Sequence, residues 1–171
     1  MKPLAGHRVA ALGATAERAL ARYLASLGAE IVDDIAGASF VLDDDEVDAA
    51  ADGPLQDDIV HVSVTTFGRG GPRSAWKGGE FVASAMGGAL RLTGEPSRPP
   101  VKEALDACTF HADMAGAAGA MAAHFARGTH GRGQHVDISI QQVAFSRNVN
   151  GILVWQFDRR TLGRGDRKSV V

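Results

Sequence analysis

Residues 109–142 constrain this chain more than any other stretch. They open as TFHADMAGAAGAMAAHFARG, nearly free of bulky side chains, turn through Gly131-Arg132-Gly133 and leave as QHVDISIQQ. Small residues let a helix pack in close backbone contact with its neighbours, so this composition predicts a helix buried in the middle of a domain. The turn glycines end that helix, and the β-branched run over residues 135–140 predicts a strand. Any fold for the chain must therefore hold a long, closely packed helix that leads directly into a strand.

The elements before it suit such a fold. Residues 7–12 (HRVAAL) read as a short apolar strand, followed by the small-residue turn Gly13-Ala14-Thr15. A helix is expected over residues 17–27, where Leu20, Tyr23, Leu24 and Leu27 share one face. Gly28 caps it, and Glu30-Ile31-Val32 begins a second strand. A strand, turn, helix and strand with a right-handed crossover predict an α/β fold, a Rossmann-like open parallel sheet flanked by helices. The first turn is too poor in glycine for a dinucleotide fingerprint, which argues against a nicotinamide site. Gly13 in that turn is a candidate cofactor contact.

Phe40-Val41-Leu42 reads as a buried strand that runs into Asp43-Asp44-Asp45-Glu46. Acids in this position predict a solvated acidic loop, with a metal site as the sharper alternative. Without a histidine nearby in the sequence, no metal is expected, and phosphate is unwelcome there. Residues 58–66 (DIVHVSVTT) alternate like a central strand and end in Phe67-Gly68-Arg69-Gly70-Gly71-Pro72-Arg73. Amides freed by glycine can form an anion-binding nest, and Arg69 and Arg73 add charge. This loop is the best phosphate-binding candidate, a flexible surface turn being the plain alternative. Trp76-Lys77-Gly78-Gly79 follows, then a helix over residues 80–90 and a break at Pro99 and Pro100.

The 171 residues are enough for one globular domain with a real core. A net charge of −2 supplies no electrostatic footprint for nucleic acid or an anionic membrane, so a polyanionic ligand needs a local basic site. The single cysteine, Cys108, excludes an internal disulfide framework. No apolar run approaches the length of a membrane span, and the N-terminus has no signal-peptide pattern, so a cytoplasmic protein is expected.

Taken in order, these motifs resemble those of the family III CoA-transferases, the group of formyl-CoA transferase, carnitine CoA-transferase and the α-methylacyl-CoA racemases. The family's Leu-x-Gly-x-x-Val is matched by Leu4-Ala5-Gly6-His7-Arg8-Val9, and its Leu-Gly-Ala-Glu-Val by Leu27-Gly28-Ala29-Glu30-Ile31. A strand ending in Ser-x-x-Gly-Phe-Gly-x-x-Gly-Pro is close to residues 63–72. Ala-x-x-Gly followed by Thr-Gly-x-Pro falls on residues 85–96, and Arg-x-x-Thr-Gly-x-Gly-Gln-x-Val-Asp is similar to residues 127–137. The resemblance implies the family's large Rossmann-like domain, incomplete here, over residues 1–158, with 159–171 as a basic tail or linker. Residues 139–158 would be the long helix that follows the strand in whole members. Whole members continue further and form interlocked dimers, so this chain would be a fragment, a split half or a protein completed by a partner. A homodimer or a hetero-oligomer with a complementary family chain is expected.

The implied chemistry is acyl exchange between acyl-CoA and a small carboxylic acid. An aspartate attacks the thioester, forms a mixed anhydride, releases CoA and passes the acyl group on. Counted without gaps from the Gly131 turn, that aspartate falls on Thr109, a poor nucleophile with no assigned base beside it. A helix one turn shorter brings Asp113 into register instead, and Asp106 is a third carboxylate within reach. The plainer roles are a helix cap for Asp106 and a cation pair for Asp113. Racemase members use the histidine of Gly-His-Asp, replaced here by Gly78-Gly79-Glu80, leaving His111 and His124 as histidines that could sit near the same pocket, packed or surface residues being the plainer reading. Of the CoA contacts, Lys77 falls where formyl-CoA transferase has its CoA-contacting lysine, and Arg69 and Arg73 lie in the loop that approaches CoA. The family's Asn-Phe-Arg-Pro-Gly segment and a basic residue after the second strand are replaced by acids, residues 43–46 and Asp33-Asp34. The resemblance therefore implies a CoA-transferase-like protein with an eroded active site. The alternatives are a non-catalytic subunit that keeps the fold and, last, a racemase-like enzyme.

Overall fold

The apolar runs pair into one sheet in the computed structural model, which describes residues 2–51 and 53–165. Its strands are β1 (Arg8–Ala11), β2 (Glu30–Val32), β3 (Phe40–Asp43), β4 (Val60–Thr65) and β5 (His135–Ser139). They are all parallel and lie in the order β2-β1-β3-β4-β5. The chain leaves β1 in one direction and returns to place β3 on its other side. In open α/β sheets the ligand crevice forms beyond the carboxyl ends of the strands at such a reversal.

All six residues of β4 are buried, so the expected alternation hides no solvent face. Val60, Val62 and Val64 join the main core with Phe40 and Leu42, beneath Leu20 and Leu24 of helix α1 (Ala19–Ser26) and the alanines of helix α3 (Ala107–His130). Glycine explains how closely α3 lies. A Cβ on Gly116 would sit 3.2 Å from Val64, and one on Gly119 would sit 2.6 Å from Val136. The helix is nevertheless one-sided, contrary to the expectation of a fully buried rod. It covers a single face of the sheet and leaves Phe125 81% exposed. Gly131 ends it at φ 72°, donating to the Arg127 carbonyl at 2.8 Å.

Four other expectations change. Helix α1 begins at Ala19 rather than residue 17, because residues 13–17 form a 3-10 turn and Arg18 is extended. The Ala19 amide is met by the Asp113 carboxylate at 3.1 Å, a cap delivered from α3. Helix α2 spans only Glu80–Met86, since Gly87 packs against Ala144, where a Cβ would lie 2.5 Å away. The single helix expected over 139–158 is two, α4 (Ile140–Ser146) and α5 (Val149–Asp158). They part at Asn148, whose amide donates to the Gly87 carbonyl at 2.7 Å and to the Ala144 carbonyl at 3.2 Å. Finally, the start of the expected tail packs back: the Arg164 guanidinium donates to the carbonyls of Arg91, Glu95, Pro96 and Arg98. Residues 166–171 of that segment lie outside the described residues. No helix of the described residues is long and apolar enough to cross a membrane.

Candidate functional site

The carboxyl ends of the strands and the N-terminus of α3 enclose a cleft of about 440 Å³. Its walls include Arg18, Asp45, Lys77, Gly79, Glu80 and Thr109. Thr109 is the third residue of α3 and Glu80 the first of α2, so two helix starts meet here. The four leading amides of an α-helix have no partner within it, and an anion is their natural complement. Glu80 is that anion. Its Oε1 accepts from the Cys108 amide at 2.9 Å, and its Oε2 from the Thr109 amide at 2.7 Å and the Thr109 hydroxyl at 2.8 Å. Thr109 therefore has a carboxylate beside it, contrary to the reading that gave it no basic neighbour. Cys108 is fully buried, and burial followed by the Glu80 charge pushes its thiol pKa up, so it is no thiolate nucleophile.

The other candidate carboxylates have different occupations. Asp113 is 2% exposed, and its Oδ1 takes the Arg18 guanidinium at 2.5 Å while its Oδ2 caps Ala19. It is thus the cation-paired residue of the plainer reading, joining α1 to α3. Asp106 occupies the cap position of α3 but makes no side-chain cap. It pairs instead with Lys102 at 3.0 Å in the open, because Glu80 already holds the leading amides. A second, shallow hollow of about 390 Å³ brings Asp106, Thr109, His111 and Asp113 together, so Thr109 borders both spaces. His111 Nδ1 lies 2.6 Å from the Ala107 carbonyl. His124 is elsewhere, packed on His7 and Phe40 with the Arg127 guanidinium 2.9 Å from its Nδ1. Burial, then Arg127, then His7 lower its pKa.

The glycine-rich loop forms a nest, but the chain itself fills it. The Asp137 carboxylate accepts from the Arg69 amide at 2.9 Å and from the Gly70 amide at 3.1 Å. The Arg69 guanidinium turns toward the acidic loop, donating to the carbonyls of Asp44 at 2.6 Å and Val47 at 2.8 Å and lying 3.4 Å from Asp43. The Arg69 and Gly70 amides and the Arg69 guanidinium thus already have acceptors within the chain, which argues against phosphate in this nest. Arg73 lies over the Trp76 ring, 5.4 Å from its centroid. Lys77 lies exposed on the cleft wall, with no hydrogen-bond or ion-pair partner among the described residues. At Gly13, with φ +59°, a Cβ would meet Val47 at 3.1 Å and Asp44 at 3.2 Å, so the acidic loop closes over that turn.

The acidic loop is not simply solvated. Asp43 is fully buried and Asp44 7% exposed. Asp43 Oδ2 meets His61 Nε2 at 2.7 Å and the Ala49 amide at 2.8 Å. Burial raises its pKa most strongly, yet hydrogen bonds from His61, Ser63 and Ala49 outweigh that and hold the carboxyl below its usual range. Asp44 accepts the amides of Glu46 and Val47, and Asp45 accepts the amide and hydroxyl of Thr66. His61 reaches Asp43 through the pairing of β3 with β4, a neighbour invisible in sequence. Among the described residues no group of three or more His, Cys, Asp or Glu is arranged to hold a metal ion.

Comparison with known proteins adds a chemical context. The sequence model of a family described as CoA-transferase family III matches residues 41–169. The succinyl-CoA:(R)-benzylsuccinate CoA-transferase subunit BbsE of Thauera aromatica is 32% identical over 109 residues, covering 62% of this chain and 27% of its own. A formyl-CoA:oxalate CoA-transferase of Streptomyces coelicolor is 35% identical over 88 residues, covering 52% of this chain and 21% of its own. Among solved structures, a CAIB/BAIF family protein from Brucella suis superposes with a TM-score of 0.79 at 19% identity, over 95% of this chain and 60% of that one. Rv3272 of M. tuberculosis gives 0.72 at 18% identity, over 92% and 59%. At these identities the two structures speak for the fold alone. The match spans about a quarter of the curated relatives and about three fifths of the solved ones.

Proposed function

The chain belongs to CoA-transferase family III, and from that premise we propose that it takes part in moving CoA between carboxylic acids, at the cleft over the N-terminus of α3. Its substrates are an acyl-CoA and a small carboxylic acid, and it works in the cytoplasm. The observation that carries this reading is Thr109. The residue that falls in the family's nucleophile position lies on the cleft wall, in contact with a carboxylate. The site is eroded relative to the family's pattern. Asp113 is committed to Arg18, and Arg69 to the acidic loop, which leaves Lys77 and Arg73 to meet CoA. Thr109 cannot itself relay CoA, because an oxygen ester lies well below a thioester or an anhydride in energy. Racemisation is disfavoured, since Gly79 stands in place of the family's histidine and His124 packs against His7 and Phe40.

The test is isotope exchange. Succinyl-CoA or formyl-CoA is incubated with carbon-13-labelled acetate, glutarate or oxalate, and label is expected in the CoA thioester. No label in any pairing, together with no heat on titration of CoA or acetyl-CoA, would count against the reading.

One observation favours a second reading, an assembly domain completed by a partner chain. Helix α5 has no buried residue, and Trp155 and Phe157 are 52% and 81% exposed. A family chain covering that surface would give a homodimer or a hetero-oligomer. A monodisperse monomer in concentrated solution by light scattering would contradict it.

A further inference from the structure

We propose that Glu80 is the carboxylate that accepts the acyl group in this cleft, standing in for the aspartate absent at position 109. The inference rests on the reading of the cleft as a CoA-transferase site.

The acids around the cleft differ in what their oxygens are doing. Asp113 is neutralised by Arg18, and Asp106 lies in the open with Lys102. Asp44 is buried in its own turn, and both oxygens of Asp45 are engaged by Thr66. Glu80 is half-buried on the cleft wall, and its two oxygens are unequal. Oε2 holds both Thr109 donors, whereas Oε1 takes one backbone amide. The unequal pairing divides the labour: Oε1 is the attacking oxygen and Oε2 the one that stays a carbonyl.

The step balances without an added reagent. Oε1 forms a bond to the thioester carbonyl carbon, the carbon–sulfur bond breaks, and its electron pair leaves on CoA as thiolate, giving an acyl-glutamyl anhydride. The thiolate then attacks the Glu80 side-chain carbon. The donor acid departs as carboxylate and a glutamyl-CoA thioester remains, which a second acid opens by the reverse sequence. In that attack negative charge develops on Oε2. The Thr109 amide and hydroxyl already lie 2.7 and 2.8 Å from it, the separation at which donors stabilise an oxyanion. The rival role, Glu80 as general base for Thr109, fails on the product it gives. Such a base would lead to an oxygen ester on Thr109, too low in energy to hand its acyl group back to CoA, whereas direct attack by the carboxylate gives an activated anhydride and moves no proton.

The experiment treats the full chain with succinyl-CoA in the presence of hydroxylamine, which captures activated acyl groups as hydroxamates, and maps the product by peptide mass spectrometry. A hydroxamate on Glu80 is expected. Glu80→Gln should abolish it and lower label exchange by at least about a thousandfold. Thr109→Val should lower exchange by about a hundredfold while the adduct stays on Glu80. Mapping the unmodified chain decides the matter even if a variant folds poorly. A hydroxamate on Asp45, Asp106 or Asp113, or an ester on Thr109, with exchange intact, overturns the Glu80 assignment and leaves the transferase reading standing. No exchange and no adduct overturns both.

Discussion

Two corners of this molecule gather backbone N–H groups at the carboxyl edge of the same sheet, and in each the chain's own carboxylate fills the gap. At the glycine-rich loop the acceptor is Asp137, brought alongside by the pairing of β4 with β5. At the N-terminus of α3 it is Glu80, brought from the start of α2. The first corner is closed, since Arg69 turns its guanidinium inward and Asp137 takes the amides. The second opens onto the 440 Å³ cleft, with Lys77 on its rim. The two carboxylates are held alike by their neighbours' amides, and Glu80 is the one that lines this cleft.

The contrast can be broken by removing each carboxylate in turn, and Asp113 is the control. Asp113→Ala removes the buried partner of the partly buried Arg18 guanidinium and the cap of α1, and should cost about 3–5 kcal/mol in denaturant unfolding. A loss below about 1 kcal/mol would mean that Asp113 is not structural. Asp137→Ala frees the loop amides near solvent and should cost about 1–3 kcal/mol. The emptied nest should then bind sulfate, raising Tm in the variant and not in the unaltered chain. Equal sulfate effects in both would mean that the loop was never closed. The smallest effect is acid sensitivity at the opposite edge of the sheet. Burial, then Arg127, lowers the His7 and His124 pKa values below 6.5, with His7 also acting on His124. The unfolded chain then binds more protons than the folded one below pH 6.5, so stability should fall as pH drops through that value and level off below the folded pKa values. His124→Gln should flatten that slope, measured by urea midpoints across the range.

Much of the fold was legible because it rests on local pattern. The apolar runs at β1, β3 and β4, the glycine stop after α3 and the strand β5 all lie where periodicity put them. The illegible parts are those set by a distant partner. Helix α1 starts late because Asp113, 94 residues away, caps Ala19. The break between α4 and α5 depends on Asn148 reaching Gly87, 61 residues back. Small residues on every face of α3 hid which face was covered, and only the close approach of Gly116 and Gly119 to the sheet reveals it. At the site, counting back from the turn placed Thr109 on the cleft, because helix register is a matter of local spacing. Glu80 was noted only as the remnant of a histidine motif, and its contact with Thr109 spans 29 residues. Arg69 carries the charge for an anion loop, but the direction of its side chain is decided by the Asp44 and Val47 carbonyls.

The central claim is that acyl-CoA enters at the α3 corner and not at the nest of the Arg69 and Gly70 amides. Titrating acetyl-CoA into nitrogen-15-labelled protein and following the backbone amides by NMR tests it directly. The account predicts that the Gly78, Gly79, Cys108 and Thr109 amides shift with ligand while those of Arg69 and Gly70 stay in place. Shifts at Arg69 and Gly70 with Thr109 unmoved, or no shifts at any of these amides, would contradict it.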